Sequence, residues 1–248
     1  YVGGTGKTPL SIKIVKKLNL KTKRATVIKK YYKNHKDEHE LIKKKTGCLT
    51  LGINRELALK NAEKKNFKIG VLDDGFQDHS IYKNVSILCF NSKQLIGNGM
   101  LLPSGPLREK IESIRRAQIV IINGKKNKNF EKKINNISKK TNIFYSNYVP
   151  KNINEFKNKK LFAFAGIANP ENFFDLLSKH DLNIKKKSIF PDHYNFNKLE
   201  LQKMSNYAKK NNFQLITTEK DYHRIKGYGY KNINYLKLDL KIFNENNL

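Results

Sequence analysis

Six consecutive residues near the start of the chain carry the most specific chemistry. Gly3-Gly4-Thr5-Gly6-Lys7-Thr8 (GGTGKT) reads as the working end of a phosphate-binding loop. Glycines let backbone N–H groups curl around phosphate oxygens, and a helix opened by Pro9 points its positive end at them. In such a loop Lys7 reaches the β- and γ-phosphates and the Thr8 hydroxyl ligates Mg²⁺. Val2 to Pro9 are therefore the expected nucleotide-binding segment. The strict pattern wants a further glycine five residues before Gly6, where this chain has Tyr1. The plainer alternative is a glycine-rich turn ahead of a helix.

A phosphate loop needs a second metal-holding carboxylate at the end of a neighbouring apolar strand. Ile69-Gly70-Val71-Leu72-Asp73-Asp74 has that form. Successive strand side chains face opposite ways, so one aspartate can face Mg²⁺ while the other braces the loop. Alternation alone leaves open which of Asp73 and Asp74 takes the metal and which supports. Read alone, Asp-Asp-Gly is equally a turn. No Asn-Lys-x-Asp signature for guanine follows a strand, which favours ATP as the nucleotide.

Around these residues the chain reads as alternating strands and helices, with no internal repeat. After the loop come a helix over Pro9–Lys17, a strand at Ala25–Ile28, a helix at Glu38–Lys45, a helix capped by Asn54, and the Phe67–Leu72 strand. Val85–Phe90 and Gln118–Asn123 read as strands and Glu131–Lys140 as a helix. A polar stretch with Pro150 suggests a linker over 149–160. A second alternation follows from Leu161, with helices starting at Pro170 and after Asn197. The expected fold class is α/β, with two mainly parallel lobes, residues 1–148 and 161–248, the first of the P-loop type; ligands in such folds bind at the carboxyl ends of strands, often between lobes. The strand expected to feed the loop falls upstream of Tyr1, as would any signal or anchor.

Composition limits the function classes. The chain has 248 residues and a formal charge of +29, but only six of its fifty basic residues are Arg. Arg is the usual tool for reading phosphate and bases in nucleic acid, so a Lys-dominated surface lowers that reading. A positive field still attracts anionic membranes and phosphorylated substrates. No apolar run reaches the ~18 residues that span a bilayer. Cys48 and Cys89 stand far apart without a CxxC pair, which fits a reducing, cytosolic setting.

Six stretches in order, VGGTGKTP (Val2–Pro9), LDDGFQ (Leu72–Gln77), GNGMLLPSGPLRE (Gly97–Glu109), FAGIANP (Phe164–Pro170), FPDHYNF (Phe190–Phe196) and TTEKD (Thr217–Asp221), together resemble the tetraacyldisaccharide 4'-kinase family of lipid A biosynthesis. The resemblance runs from Tyr1 to about Arg224. It implies two α/β/α sandwich lobes with the active site in the cleft between them, and ATP-dependent phosphorylation of the 4'-hydroxyl of a tetraacylated glucosamine disaccharide 1-phosphate, with ATP and Mg²⁺ as cofactors. The implied partners are the lipid A precursor and an anionic membrane surface, with no nucleic acid. The implied location is the cytoplasmic face of the bacterial inner membrane, peripheral or anchored by an N-terminal helix that this sequence lacks.

The resemblance also assigns roles residue by residue. The family's catalytic aspartate, from a D-E pair, matches Asp37 of Asp37-Glu38, and its histidine matches His193. A sugar hydroxyl is a poor nucleophile, and a carboxylate supported by a histidine can take its proton. Glu38 joins Thr8 and Asp74 as a metal ligand, and Lys7 acts in catalysis. Gln77, Arg108 and Glu109 fall in family motifs near nucleotide and metal, as supporting residues. Two features depart from the family: VIKKYYKNHK (Val27–Lys36) is short and lacks an S-R-G-Y-like stretch, and D-E-P becomes Asp37-Glu38-His39.

Rival readings rest on fewer residues. His35-Lys36-Asp37-Glu38-His39 spells H-x-x-E-H, an inverted zinc-protease motif without a placed third ligand. Without the resemblance, His193 reads as a turn histidine, and His79, His180 and His223 read as surface residues. Lys185–Lys187 is a solvated face, with anionic lipid as the alternative. A P-loop ATPase binding nucleic acid would use Tyr31-Tyr32 among Lys29, Lys30 and Lys33. A small-metabolite kinase or ligase would keep the loop and change the acceptor.

Overall fold

The computed structural model describes residues 5–245. Val2, Gly3 and Gly4 of the expected nucleotide segment lie outside them. In chain order the elements begin with α1 (Lys7–Leu20), β1 (Ala25–Lys30), α2 (Lys36–Thr46), β2 (Leu49–Gly52), α3 (Arg55–Lys64) and β3 (Ile69–Leu72). They continue with β4 (Ile87–Asn91), β5 (Ile119–Asn123), α4 (Lys128–Ile137) and β6 (Asn142–Pro150). The remainder comprises β7 (Leu161–Ala165), α5 (Pro170–Lys179), β8 (Ile184–Ile189), α6 (Lys198–Lys210), β9 (Gln214–Thr218), α7 (Glu219–Ile225), β10 (Ile233–Leu236) and β11 (Leu238–Ile242).

The chain forms two compact units. The first holds the described residues up to His35, Ile42–Tyr148 and those from Leu240 on; the second holds Lys36–Leu41 and Val149–Asp239. Two differences from the sequence expectation follow. Residues 149–160 are packed as part of the second unit, with Phe156 buried in its core at 1% exposure. One aromatic side chain outweighs the polar residues around it. The chain end also returns to the first unit, where Lys13 and Lys17 of α1 reach Glu245 at 3.5 and 3.1 Å.

In the first unit β1 is flanked by β2 and β3, all parallel, and a second sheet has the order β11-β6-β5-β4 with β4, β5 and β6 parallel. Ala25 and Val27 of β1 pack toward α1 and α2 through Ile12, Val15 and Ile42, while Ile28 meets Ala58 and Ala62 of α3. Alternation along one strand thus buries both sheet faces. The outer edges of β3 and β4 border a cavity of about 930 Å³ that also takes in Leu10 and Ile14 of α1 together with Thr5, Lys7, Asp74, Gln77 and Arg108.

The second unit carries a parallel sheet, order β10-β9-β7-β8. β7 is buried throughout: Leu161, Ala163 and Ala165 join Phe173, Phe174 and Leu177 of α5, while Phe162 and Phe164 join Leu201 and Ala208 of α6. A strand apolar at every position needs helices on both faces, which makes this unit a three-layer sandwich. α6 starts with a full capping box: Asn197 accepts from the Glu200 N–H and Glu200 accepts from the Asn197 N–H. Asn197→Ala should cost about 1 kcal/mol, read by urea denaturation of the protein; no change in stability would mean that the cap is dispensable.

Candidate active site

Gly6 sets the phosphate loop's exit. Its φ of +93° belongs to the left-handed region, and a Cβ there would lie 3.2 Å from the Tyr148 hydroxyl. The left-handed φ favours glycine, and a side chain here would also have to displace that hydroxyl by a few tenths of an ångström. α1 then begins at Lys7, two residues earlier than expected from Pro9. Pro9 is accommodated because its missing N–H falls in the first turn, where N–H groups have no helical partner.

The two aspartates after β3 divide their tasks. Asp73, only 1% exposed, accepts from Lys29 Nζ at 2.7 Å, Thr8 Oγ1 at 2.9 Å and Ser11 Oγ at 3.3 Å. Asp74 is paired with Lys7 at 2.8 Å and Arg108 at 3.0 Å, and Arg108 also donates to Gln77 Oε1 at 3.3 Å. Burial alone would raise the Asp74 carboxyl, but Lys7 and Arg108 override it and hold its pKa at about 2. Asp74 therefore stays a carboxylate throughout the working pH range. Its backbone has a φ of +59°, and Arg55 donates to its carbonyl oxygen at 2.7 Å while pairing with Asp78 at 3.3 Å.

Lys7, Thr8, Asp73, Asp74, Gln77 and Arg108 are thus brought together in the first unit. Glu109 instead turns to Arg116. Lys29, Ser11 and Arg55 were missed by sequence reasoning. The signal for Lys29 was a lysine closing a buried strand, and for Arg55 its rarity in a lysine-dominated chain. Lys29 faces inward and Lys30 lies 5.5 Å from the Tyr32 ring, so the basic–aromatic stretch is not one continuous outward patch.

In the second unit Asp37 and His193 both touch one residue, Arg224. Arg224 donates from Nε to Asp37 Oδ2 at 2.9 Å and from Nη1 to the Gly166 carbonyl and to Asp221 Oδ1, each at 2.8 Å. Its Nη2 lies 3.2 Å from His193 Nδ1, and Lys220 Nζ lies 3.2 Å from His193 Nε2. Asp221, fully buried, also accepts from the Gly166 N–H at 3.0 Å and Thr218 Oγ1 at 2.7 Å. Burial pushes its carboxyl up, against those bonds and Arg224. Burial and the neighbouring Lys220 push His193 below the usual histidine range, which favours the neutral ring. His193 has a φ of +60°, a turn geometry that aims the ring at these cations.

Three of the quoted motifs therefore meet at Arg224: Gly166 from FAGIANP, His193 from FPDHYNF and Asp221 from TTEKD. Arg224 lies 187 positions from Asp37 and follows TTEKD by three residues. Glu38 sits beside Asp37 in the first turn of α2, in the second unit, whereas Thr8 and Asp74 belong to the first. His35 caps α2 from outside while His39 is buried, and no cluster of three or more His, Cys, Asp or Glu able to hold a metal occurs among the described residues. His223, expected at the surface, is buried at 6% because α7 packs along β9 and β10. Cys89 is not an available nucleophile: burial pushes its thiol up to about 12.

Comparison with known proteins gives one answer. The sequence profile of the family described as LpxK, tetraacyldisaccharide-1-P 4'-kinase, matches residues 36–248. A tetraacyldisaccharide 4'-kinase of Pelagibacter ubique is 40% identical over 251 residues, covering 100% of this chain and 80% of that protein. The proteins of the same name from Rickettsia bellii and Rickettsia akari are 33% and 34% identical, covering 90% and 98% of this chain and 74% and 78% of their own lengths. The fold matches a crystal structure of LpxK from Aquifex aeolicus in complex with ATP, with a TM-score of 0.71 at 23% identity, over 99% of this chain and 82% of that one. These matches confirm the α/β class and the family read from six short motifs: the chain belongs to the tetraacyldisaccharide 4'-kinase family.

Proposed function

We propose that this protein transfers the γ-phosphoryl group of ATP to the 4'-hydroxyl of a tetraacyldisaccharide 1-phosphate at the cytoplasmic face of the inner membrane. The observation that carries this reading is the Lys7–Asp74–Arg108 and Thr8–Asp73 cluster at the start of α1, in a chain of this family. The loop N–H groups and Lys7 bind the phosphates, and Arg108 supplies a second cation beside them. Asp74 pairs with both cations, and a bound triphosphate would compete for them.

The residues present suit Mg²⁺. Thr8, Asp73 and Asp74 offer hard oxygen donors around the loop, the set this ion prefers. Thr8 and Asp74 would hold it, with Asp73 bracing Thr8 from behind. When bound, the ion offsets charge on the β- and γ-phosphate oxygens. EDTA should abolish turnover and added Mg²⁺ restore it; turnover that survives exhaustive chelation would exclude the metal role.

Asp37 acts as the general base. It takes the 4'-hydroxyl proton as that oxygen attacks phosphorus, the bond to the β–γ bridging oxygen breaks, and ADP leaves with the electron pair. Arg224 holds Asp37 in place, and the neutral His193 supports that arrangement from the other side of Arg224. The pH dependence follows from the lowered His193 pKa. The neutral ring is present above that value and lost as pH falls through it, so the acid limb of kcat should lie below pH ~6.5 and should shift in His193→Gln. An acid limb unchanged in that variant would remove His193 from the support of Asp37. The activity itself is tested with γ-labelled ATP and tetraacyldisaccharide 1-phosphate in mixed micelles. Label entering the lipid phase is expected; label released only as inorganic phosphate would refute the acceptor.

A further inference from the structure

The second unit's sheet is parallel, so the segments that leave β7, β8 and β9 emerge together at one end of it. The crevice outside the carboxyl ends of adjacent parallel strands is the usual ligand site of such sheets. Gly166 follows β7, Asp192 and His193 follow β8, and Lys220 and Asp221 follow β9. The three segments fit tightly there. A Cβ on Gly166 would lie 3.3 Å from Asp221 Oδ1, from the Pro191 carbonyl oxygen and from Tyr194 Cβ alike. Asp221 is turned inward and fully buried, while its neighbour Lys220 keeps 28% of its side chain exposed.

Hydrogen-bonding capacity fixes what these groups can hold. Arg224 can only donate, so His193 Nδ1, 3.2 Å from its Nη2, must accept. The neutral ring then carries its proton on Nε2. Lys220 Nζ stands 3.2 Å from that Nε2, and an ammonium also only donates. Two donors face each other, and one acceptor set between them would serve both. Asp192 Oδ1 lies 3.7 Å from Lys220 Nζ and 3.9 Å from His193 Nε2, beyond direct hydrogen-bond reach of either. It already accepts from the His193 N–H at 3.0 Å. An acceptor held by an ammonium is strongest as an anion, and a phosphate monoester offers three such oxygens.

We propose that Lys220 and the Nε2–H of His193 form a seat for a phosphate monoester of the lipid acceptor or its product, with Lys220 as the main contact. The seat is linked to the proposed base, because the Arg224 guanidinium touches both His193 and Asp37. Lys220 is thus a binding residue for the acceptor side, and Lys7 of the first unit serves the nucleotide. The proposal rests on the kinase reading for the identity of its ligand.

Two phosphates have this chemistry: the one that the acceptor carries at position 1 and the one transferred to the 4'-oxygen. Three tetraacyldisaccharides separate them, phosphorylated only at position 1, only at 4', or at neither. Equilibrium binding of each in mixed micelles is measured with ADP and Mg²⁺ saturating the phosphate loop, so no turnover occurs. In Lys220→Gln at least one monophosphate should bind about tenfold more weakly, the loss of one charge-assisted hydrogen bond. The unphosphorylated lipid should bind as it does to wild type, and Lys220→Arg should recover most of the lost affinity. Lys209→Gln, which removes an exposed lysine of α6 in the same unit, should change none of the three. The monophosphate that responds identifies which phosphate the seat takes. Unchanged binding of both monophosphates in Lys220→Gln, or an equal loss for the unphosphorylated lipid, would overturn the proposal. Label transfer from ATP is assayed separately in the same variants, so the kinase reading stands or falls on its own.

Discussion

Asp73→Ala should destabilise the first unit by about 3–5 kcal/mol, the cost of leaving a buried ammonium without its carboxylate, and should abolish phosphoryl transfer. Lys29 Nζ lies 2.7 Å from Asp73, with side-chain exposures of 9% and 1%. Water cannot replace the lost partner at that depth, so Lys29 must deprotonate, move or unfold its strand. The same substitution frees Thr8 and Ser11, whose hydroxyls both donate to Asp73. The first turn of α1 then loses its registration on β3, and the phosphate loop with it. Asp73→Asn keeps the shape and one acceptor, so its stability loss should be smaller while transfer remains severely impaired. Urea denaturation and ATP titration of the variants check this. An Asp73→Ala protein as stable as wild type and equally able to bind ATP would contradict the bracing role.

Asp37→Ala should lower kcat by roughly 10²–10⁴-fold, the usual contribution of a positioned base, with ATP affinity unchanged. The selectivity follows from placement. Asp37 belongs to the second unit and bonds to Arg224, whereas the phosphate-binding groups belong to the first. Arg224→Lys should reproduce much of the loss even though charge is retained. Arg224 donates to Asp37, the Gly166 carbonyl and Asp221 and lies against His193, a fork of contacts that one ammonium cannot serve at once. Because Arg224 acts through Asp37, its variant should lower kcat without raising the KM for ATP. Asp37→Ala with wild-type turnover would leave the kinase assignment intact and remove Asp37 as the base.

How much of this was legible in sequence depended on contiguity. The phosphate-loop expectation rests on adjacent positions, and the family could be read because six short motifs fall in order. β7 was legible as a strand from LFAFA alone, since five apolar residues in a row suit a strand covered on both faces. The alternation rule said that Asp73 and Asp74 face opposite ways but not which way each faces. Lys29, Lys7 and Arg108 decide that, and they come from three separate segments. Arg224 was out of reach because its partner lies 187 residues away. Its rarity as one of six arginines was the available hint. The stretch expected to link two lobes failed for a different reason. Pro150 and several Asn and Lys mark a turn-rich surface, but Phe156 within it is a core residue of the second unit.

The +29 charge reads differently with the fold in place. Lys7 and Lys29 are held by Asp74 and Asp73, so part of the positive charge serves the candidate site and not a solvated face.

The most direct measurement locates the new phosphate. After turnover with ATP, Mg²⁺ and tetraacyldisaccharide 1-phosphate, the lipid product is isolated and examined by phosphorus–proton correlation spectroscopy. The account predicts a second phosphate coupled to the proton at the 4' carbon, absent from reactions with Lys7→Ala or Asp37→Ala. A phosphate at another sugar position, or ATP consumed with the lipid unchanged, would contradict it.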